Sequence, residues 1–173
     1  MSIKVLYKGF EIEAKLWLDD LEKYNDIPFA AERKEWSMAE LYSRLYDACV
    51  NQHAIILQES ITHTYTKKGR KSLVGYIVFL TNKLSKSYFK KNFKPSTDYV
   101  LAEDTKSAKG YILKCMKIMH ALSEEILKAD PKLKIKDNYL GWLTLEESYA
   151  IPEMYFSYYR KMKERIEQDM IAR

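Results

Sequence analysis

The chain has 173 residues, the length of one domain that can bury a core of its own, and we expect a single domain over 1–173. With only 5 glycines and 4 prolines, it favours helix over sheet, and its formal charge of +5 is too small to indicate nucleic-acid binding. The charged N-terminal stretch and the shortness of the longest apolar run, 73–80, predict a soluble cytoplasmic protein with no membrane partner.

The first predicted helix covers about 3–24. Apolar residues recur four and three positions apart, which is the spacing of one buried helix face. These residues are Phe10, Ala14, Trp17, Leu21 and Tyr24. The stretch 25–33 contains Pro28 and is predicted to be the turn that ends this helix.

The second predicted helix covers about 37–62. Ser37 and Glu40 have the spacing of a capping box, in which each side chain binds the other residue's backbone N–H. The expected buried face then steps three and four residues at a time. It consists of Met38, Leu41, Leu45, Ala48, Gln52 and Ile55.

A long crossover follows, over about 63–104, and we expect it to contain a short helix at 73–89. Between residues 64 and 97 there are nine basic residues, no acidic ones and several interleaved aromatics. This mixture is the chemistry that holds single-stranded nucleic acid. The alternative is that the lysines solvate a segment whose aromatic rings pack on the core. We favour the alternative, because the stretch matches no nucleic-acid-binding module.

The last two predicted helices cover about 105–129 and 145–171. Asp104 or Thr105 caps the first of them, and Thr144 with Glu147 forms a capping box for the second. Pro152 lies inside the last helix and should kink it, because proline lacks a backbone N–H. The expected buried residues of the two helices are Ala108, Ile112, Cys115, Met119, Leu122 and Ile126, then Leu145, Tyr149, Tyr159, Met162 and Ile166.

Four long helices with one long connection predict an all-α four-helix bundle. The long connection can carry the chain back along the bundle, so helices two and three need not be antiparallel neighbours. Cys49 and Cys115 both fall on apolar helix faces, where burial raises a thiol's pKa, so we expect reduced core thiols and no thiol nucleophile.

Two phrases of the sequence resemble the DinB-like family. EWSMAELYSRL, over 35–45, is similar to a tryptophan–serine helix start of that family, and NYLGWLTLEESYAIPEMYFSYYRKMKERIE, over 138–167, is similar to its last helix. The resemblance covers essentially the whole chain and implies a four-helix bundle with a long crossover between helices two and three. It also implies a homodimer. Some members of the family are thiol-dependent transferases or related hydrolases, and many bind a divalent metal through three histidines.

The three metal-binding positions that the resemblance implies carry no histidine in this chain. The helix-two position falls on Arg44, and the two helix-four positions fall on Tyr155 and Tyr159. Arginine only donates hydrogen bonds, and a tyrosine ligand needs a strongly depressed pKa. We therefore expect a degenerate metal site with no metal and no cofactor. The remaining histidines, His53, His63 and His120, are expected to be surface or partly buried residues.

Two interpretations of the Arg44, Tyr155 and Tyr159 cluster stay open. In the first, the tyrosines fill a vestigial cavity, and Arg44 pairs with a neighbour or reaches solvent; Glu153, Glu40 and Asp47 are candidate partners. In the second, the three side chains form a ligand-binding pocket for a small anion. The function hypotheses are accordingly a metal-free small-molecule-binding or protein-interaction module, a metal- or thiol-dependent transferase or hydrolase, and binding of an anionic polymer by the crossover.

Overall fold

The computed structural model of the protein describes residues 2–24, 29, 36–62, 69–92 and 100–171. Helices dominate this part of the chain, and one small antiparallel sheet of two strands accompanies them. The turn predicted at 25–33 lies outside the described residues except for Phe29, and so does His63. Within the described ranges, no helix is both long enough and apolar enough to cross a membrane.

Helix α1 covers Ile3–Leu21, and a short 3-10 turn, Glu22–Tyr24, continues it to the predicted end. The predicted apolar face is confirmed, since Phe10, Ala14, Trp17, Leu21 and Tyr24 are all buried.

The second predicted helix is one continuous helical segment with a change of winding in its middle. Helix α2 (Met38–Tyr46) leads into a π-helical segment (Asp47–Ala54), and α3 (Ile55–Thr62) follows. The capping box is confirmed: Ser37 N donates to Glu40 Oε2 at 2.8 Å, and Glu40 N donates to Ser37 Oγ at 3.1 Å.

The π segment shifts the buried face of this segment. A π turn contains more residues than an α turn, so residues after it rotate relative to the α-helical pattern. The prediction that Ile55 is buried is therefore wrong, because its exposed fraction is 49%, and Gln52 is only half-buried. His53, Ala54 and Leu57 are buried instead.

The crossover contains two helices, α4 (Leu73–Thr81) and α5 (Lys86–Asn92), so the prediction of one helix over 73–89 is wrong. Asn82 ends α4 in the left-handed conformation, with φ 51°. Asparagine tolerates that conformation better than most residues, and it is a common helix stop.

A β-hairpin between the last two long helices was not predicted. Strand β1 (Lys134–Asp137) pairs with β2 (Gly141–Thr144), with Ile135 opposite Leu143. Asp137 Oδ1 builds the turn by accepting from the backbone N–H groups of Tyr139 and Leu140, both at 2.7 Å.

The hairpin also anchors the start of α4. Ser72 N donates to the Leu140 carbonyl at 2.8 Å, and Gly75 packs so closely on that carbonyl that any side chain there would collide with it.

Helix α6 covers Thr105–Ile126 and ends three residues before the predicted bound of 129, and α7 covers Leu145–Ile171 as predicted. The caps are confirmed: Asp104 accepts from Ser107 N at 2.7 Å, and Thr144 forms a reciprocal box with Glu147 at 3.0 and 3.2 Å. All six predicted apolar residues of α6 are buried.

Two of the long helical segments, α2–α3 and α6, run in the same direction. The continuous segment α2–α3 runs parallel to α6, since Tyr46 stacks on Tyr111 with ring centroids 4.5 Å apart, and Gln58 further along donates to Glu125 at 2.6 Å. A parallel pair needs a connection that returns along the length of the helices, and the crossover that contains α4 and α5 joins α3 to α6.

Helix α7 runs parallel to α1 and antiparallel to α2. Phe10 packs edge-on against Phe156 at 5.1 Å, and the later residue Tyr24 donates to the later residue Glu167. Helices α1 and α2 each pack on both α6 and α7. The core therefore lies between two pairs of parallel helices.

One buried contact joins the π segment to α7 at Pro152. In an α-helix the N–H of residue 152 would donate to the carbonyl of Ser148, but Pro152 has no N–H. His53 Nε2 lies 2.7 Å from that carbonyl, and 3.4 Å from Ser148 Oγ. His53 therefore replaces the donor that the proline removes, which requires the hydrogen to be on Nε2.

We predict that His53→Ala costs about 3 kcal/mol of unfolding free energy, because it leaves a cavity and a buried carbonyl without a donor. In a Pro152→Ala background the restored N–H serves that carbonyl, so the same substitution should cost about 1 kcal/mol less. Urea unfolding of the four proteins of this double-mutant cycle measures the difference. Strictly additive costs would show that His53 does not compensate for the proline.

A second buried contact joins α7 to α1 through charge. Lys163 is buried with 2% of its side chain exposed, forms an ion pair with Asp20, and has its Nζ 5.1 Å from the centre of the Trp17 ring. Burial lowers the pKa of Lys163, while Glu167 and Glu164 oppose that shift. The ammonium group depends on its neighbours because desolvation disfavours a buried charge.

We predict that Asp20→Asn destabilises the fold by about 3 kcal/mol, because it leaves a buried ammonium without its counter-ion, and that Lys163→Met costs much less, because methionine fills similar space without a charge. Thermal and urea unfolding compare the two variants at neutral pH. Equal losses would contradict the expected asymmetry.

Candidate functional site

A cavity of about 250 Å³ opens between α2, α5 and α7. Its walls combine two cationic side chains with four aromatic rings and one thioether. The lining residues are Trp36, Arg44, Lys86, Phe89, Tyr158, Tyr159 and Met162. Two of the three sequence-predicted site residues, Arg44 and Tyr159, are therefore brought together at one cavity.

Arg44 is held in place by Trp36. The guanidinium carbon lies 4.5 Å from the centre of the Trp36 ring, a cation–π contact, and Arg44 is half-buried. The stacking orients a planar group with several donors, which is the geometry that suits carboxylates and phosphates. Trp36 in turn lies against Tyr159, with ring centroids 5.9 Å apart.

Tyr159 is a neutral phenol at the buried wall of the cavity. Burial raises its pKa well above the ordinary value, and the positive charge of Arg44 only partly offsets this effect. A phenol in that state can donate a hydrogen bond but is not a phenolate ligand for a metal.

Helix α5 supplies the outer wall. Phe89 stacks on Tyr158 with ring centroids 3.8 Å apart and meets Tyr159 edge-on at 5.6 Å. Lys86, one turn earlier, is exposed at the cavity. The crossover thus contributes both an aromatic ring and a second positive charge, neither of which the sequence analysis assigned to the site.

Tyr155 is not among the residues that line this cavity, although its ring centroid lies 5.8 Å from that of Phe89. Its hydroxyl is 3.3 Å from the Tyr88 hydroxyl, which donates to Asp137 at 3.1 Å, and its ring packs edge-on against His53 at 5.8 Å. Burial and the neighbouring Tyr88 raise the pKa of Tyr155. The prediction that Tyr155 shares one ligand pocket with Arg44 therefore has no support from the lining of this cavity.

The three carboxylates that the sequence suggests as partners of Arg44 each have contacts with further residues. Asp47 accepts from Asn51 at 3.0 Å and from Gln52 at 2.8 Å, and Glu40 belongs to the capping box. Glu153 lines a different cavity together with Glu13, and burial followed by repulsion from Glu13 raises its pKa.

His53 is the polar residue whose place the sequence analysis predicted wrongly, since its exposed fraction is only 8%. The signal that could have identified it is Pro152. Because Pro152 has no N–H, the Ser148 carbonyl needs a donor from a neighbouring helix. His120 is exposed, as expected, and packs edge-on against Tyr7 at 5.1 Å.

Cys49 and Cys115 are free and fully buried, and burial, followed by a hydrogen bond in which the Cys115 thiol donates to Cys49, raises the pKa of Cys115. A thiol in that environment is a poor nucleophile. In the described part of the chain, no three histidine, cysteine, aspartate or glutamate side chains are grouped as metal ligands.

Comparisons of the chain with known protein families, with curated protein sequences and with solved structures give no match.

The burial of His53 predicts a pH dependence of stability. Burial lowers the pKa of His53 below its unfolded value of about 6.5, so the unfolded chain binds more protons below that pH. His53 should therefore cost stability as the pH falls from about 6.5 toward its folded pKa, by at most about 1.4 kcal/mol per pH unit.

Urea unfolding of the wild type and of His53→Gln between pH 7 and pH 5.5 checks this, since glutamine keeps a donor but does not titrate. We expect the slope of stability with pH to be smaller in the variant (by up to about one proton). Identical slopes would show that His53 titrates normally.

Proposed function

We propose that this protein is a metal-free binding protein whose cavity takes a small anion with an apolar body. The observation that carries the proposal is the pair of cations, Arg44 and Lys86, at a cavity otherwise lined by aromatic rings and Met162. Aromatic walls favour an apolar body, and a stacked guanidinium favours a carboxylate or phosphate. The volume of about 250 Å³ suits a small metabolite rather than a nucleotide or a cofactor.

We further propose that the fold is a divergent four-helix bundle of DinB-like type. Its support is the parallel pairing of α2–α3 with α6 across a long crossover, together with the capping boxes at Ser37 and Thr144 in the two phrases that carry the resemblance. The family's metal site then corresponds to Arg44, Tyr155 and Tyr159, of which Arg44 and Tyr159 line the cavity. The homodimer that the resemblance implies stays a prediction.

The chemistry of the cavity favours binding over the family's transferase or hydrolase activities. Both cysteines are buried and neither is among the residues that line the cavity, and the phenol of Tyr159 is held neutral by burial. Neither group provides a ready nucleophile or general base near neutral pH.

Fluorescence titration with 2-naphthoate tests the proposal, with its neutral amide, 2-naphthamide, as the matched ligand. We expect the carboxylate to bind more tightly than the amide, and Arg44→Met to weaken carboxylate binding about tenfold or more, because a charge-assisted hydrogen bond contributes roughly 1.5–3 kcal/mol. Lys86→Met should weaken it less, because that side chain is exposed.

Lys109→Met is the control, since it removes an exposed charge that lines a different cavity beside α1. Equal binding of acid and amide, or an unchanged affinity in Arg44→Met, would contradict the proposal. Elemental analysis of the purified protein gives an independent check, because a stoichiometric metal would be incompatible with a metal-free site.

A further inference from the structure

Helix α4 exposes a continuous apolar stripe. The stripe consists of Leu73, Tyr76, Ile77 and Leu80, whose exposed fractions are 83%, 56%, 60% and 87%. Their spacing of three, one and three residues places them on one face of the helix. Large apolar side chains exposed together on one face, rather than scattered singly, indicate a surface that contacts something.

The opposite face of α4 is fixed to the body of the protein. Gly75 and Val78 are buried, and the segment before the helix pairs with the hairpin through Arg70 O, which accepts from Trp142 N at 3.2 Å. The helix therefore cannot turn its apolar stripe inward without breaking these contacts.

Basic side chains flank the stripe at both ends. Exposed Arg70 precedes α4, and exposed Lys83 follows its last turn. Lys71 lies over the Tyr76 and Phe79 rings at 5.0 and 5.2 Å, although its charge is shared with Glu147. Lys134 reaches the same end of the helix, where it donates to the Gly69 carbonyl at 2.9 Å.

We propose that α4 and its flanking cations dock the protein on the surface of a membrane that contains anionic lipids. Leucine and isoleucine side chains enter the boundary of the acyl chains, while lysine and arginine remain at the level of the negatively charged headgroups. The contact is peripheral, so it is compatible with the lack of a membrane-spanning helix among the described residues. It departs from our sequence-based expectation that the protein has no membrane partner.

Charge and side-chain type distinguish this occupant from two others. A second copy placed symmetrically on the stripe would bring two sets of basic residues together, and like charges disfavour that arrangement. Single-stranded nucleic acid would match the charge, but it binds by stacking its bases on aromatic rings. Three of the four stripe residues are aliphatic.

Co-sedimentation with vesicles tests the proposal. Vesicles of phosphatidylcholine alone are compared with vesicles that also contain phosphatidylserine, at low and at high salt. We expect binding to the phosphatidylserine vesicles at low salt, weakened by salt because the flanking charges are screened. The double variant Leu73→Ser/Leu80→Ser should lose at least about tenfold in partitioning, because the two most exposed leucines supply most of the inserted surface.

The matched control is Val5→Ser/Leu113→Ser, which removes two exposed apolar side chains from α1 and α6. It should bind like the wild type, and unchanged melting temperatures should show that both double variants fold. Arg70→Gln/Lys83→Gln should bind more weakly and with a smaller salt dependence.

Three kinds of result would overturn the proposal. The first concerns the vesicles, and it is either no binding to phosphatidylserine vesicles or equal binding by the leucine variant. The second is a wild-type dimer in light scattering that the leucine variant converts to a monomer, which would assign the stripe to a second copy. The third is binding of a single-stranded oligonucleotide that the Arg70/Lys83 variant loses and the leucine variant keeps, without any binding to vesicles.

Discussion

The missing N–H of Pro152 is the constraint on which the middle of the structure depends. A buried carbonyl without a donor is costly, and the donor that reaches Ser148 is His53. His53 can face α7 because the wider turns of the π segment Asp47–Ala54 place it on a different side of the helix than α-helical winding would. The proline in one helix and the altered winding in its neighbour are thus two parts of one contact, and Tyr155 packs against the histidine that completes it.

This contact also marks the limit of what periodicity could predict. Helix ends set by local chemistry were predictable, because a capping box such as Thr144 with Glu147 needs only residues three apart. The buried face of α2–α3 was predictable only up to residue 48. Beyond it, the π segment rotates the helix so that His53 reaches a carbonyl of α7, a contact that the local sequence does not contain. The hairpin was missed although Leu133 and Ile135 alternate with lysines, because two strands of four residues give a weak signal.

The sequence predicted that Arg44 and Tyr159 would lie close together, but it did not predict which other residues line the cavity. Arg44 and Tyr159 line the same cavity because α2 and α7 pack antiparallel to each other. Tyr155 shares a helix face with Tyr159, yet it is not among the cavity-lining residues, and Phe89 packs against both tyrosines, 5.8 Å from Tyr155 and 5.6 Å from Tyr159. Phe89 belongs to α5, whose docking depends on the break at Asn82, and no spacing within the long helices contains that information.

The crossover therefore does more than connect two helices, because it contributes residues to the cavity and carries the exposed apolar stripe. Nine basic residues without an acidic one between 64 and 97 would serve only solubility if all of them faced water alone. Instead, α5 places Lys86 at the cavity, while Arg70 and Lys83 flank the apolar stripe of α4. Under the two proposals, this excess of positive charge is divided between a site for a small anion and a surface for anionic lipids. Because the two proposals rest on separate residues, substitution of single side chains can distinguish them where the net charge cannot.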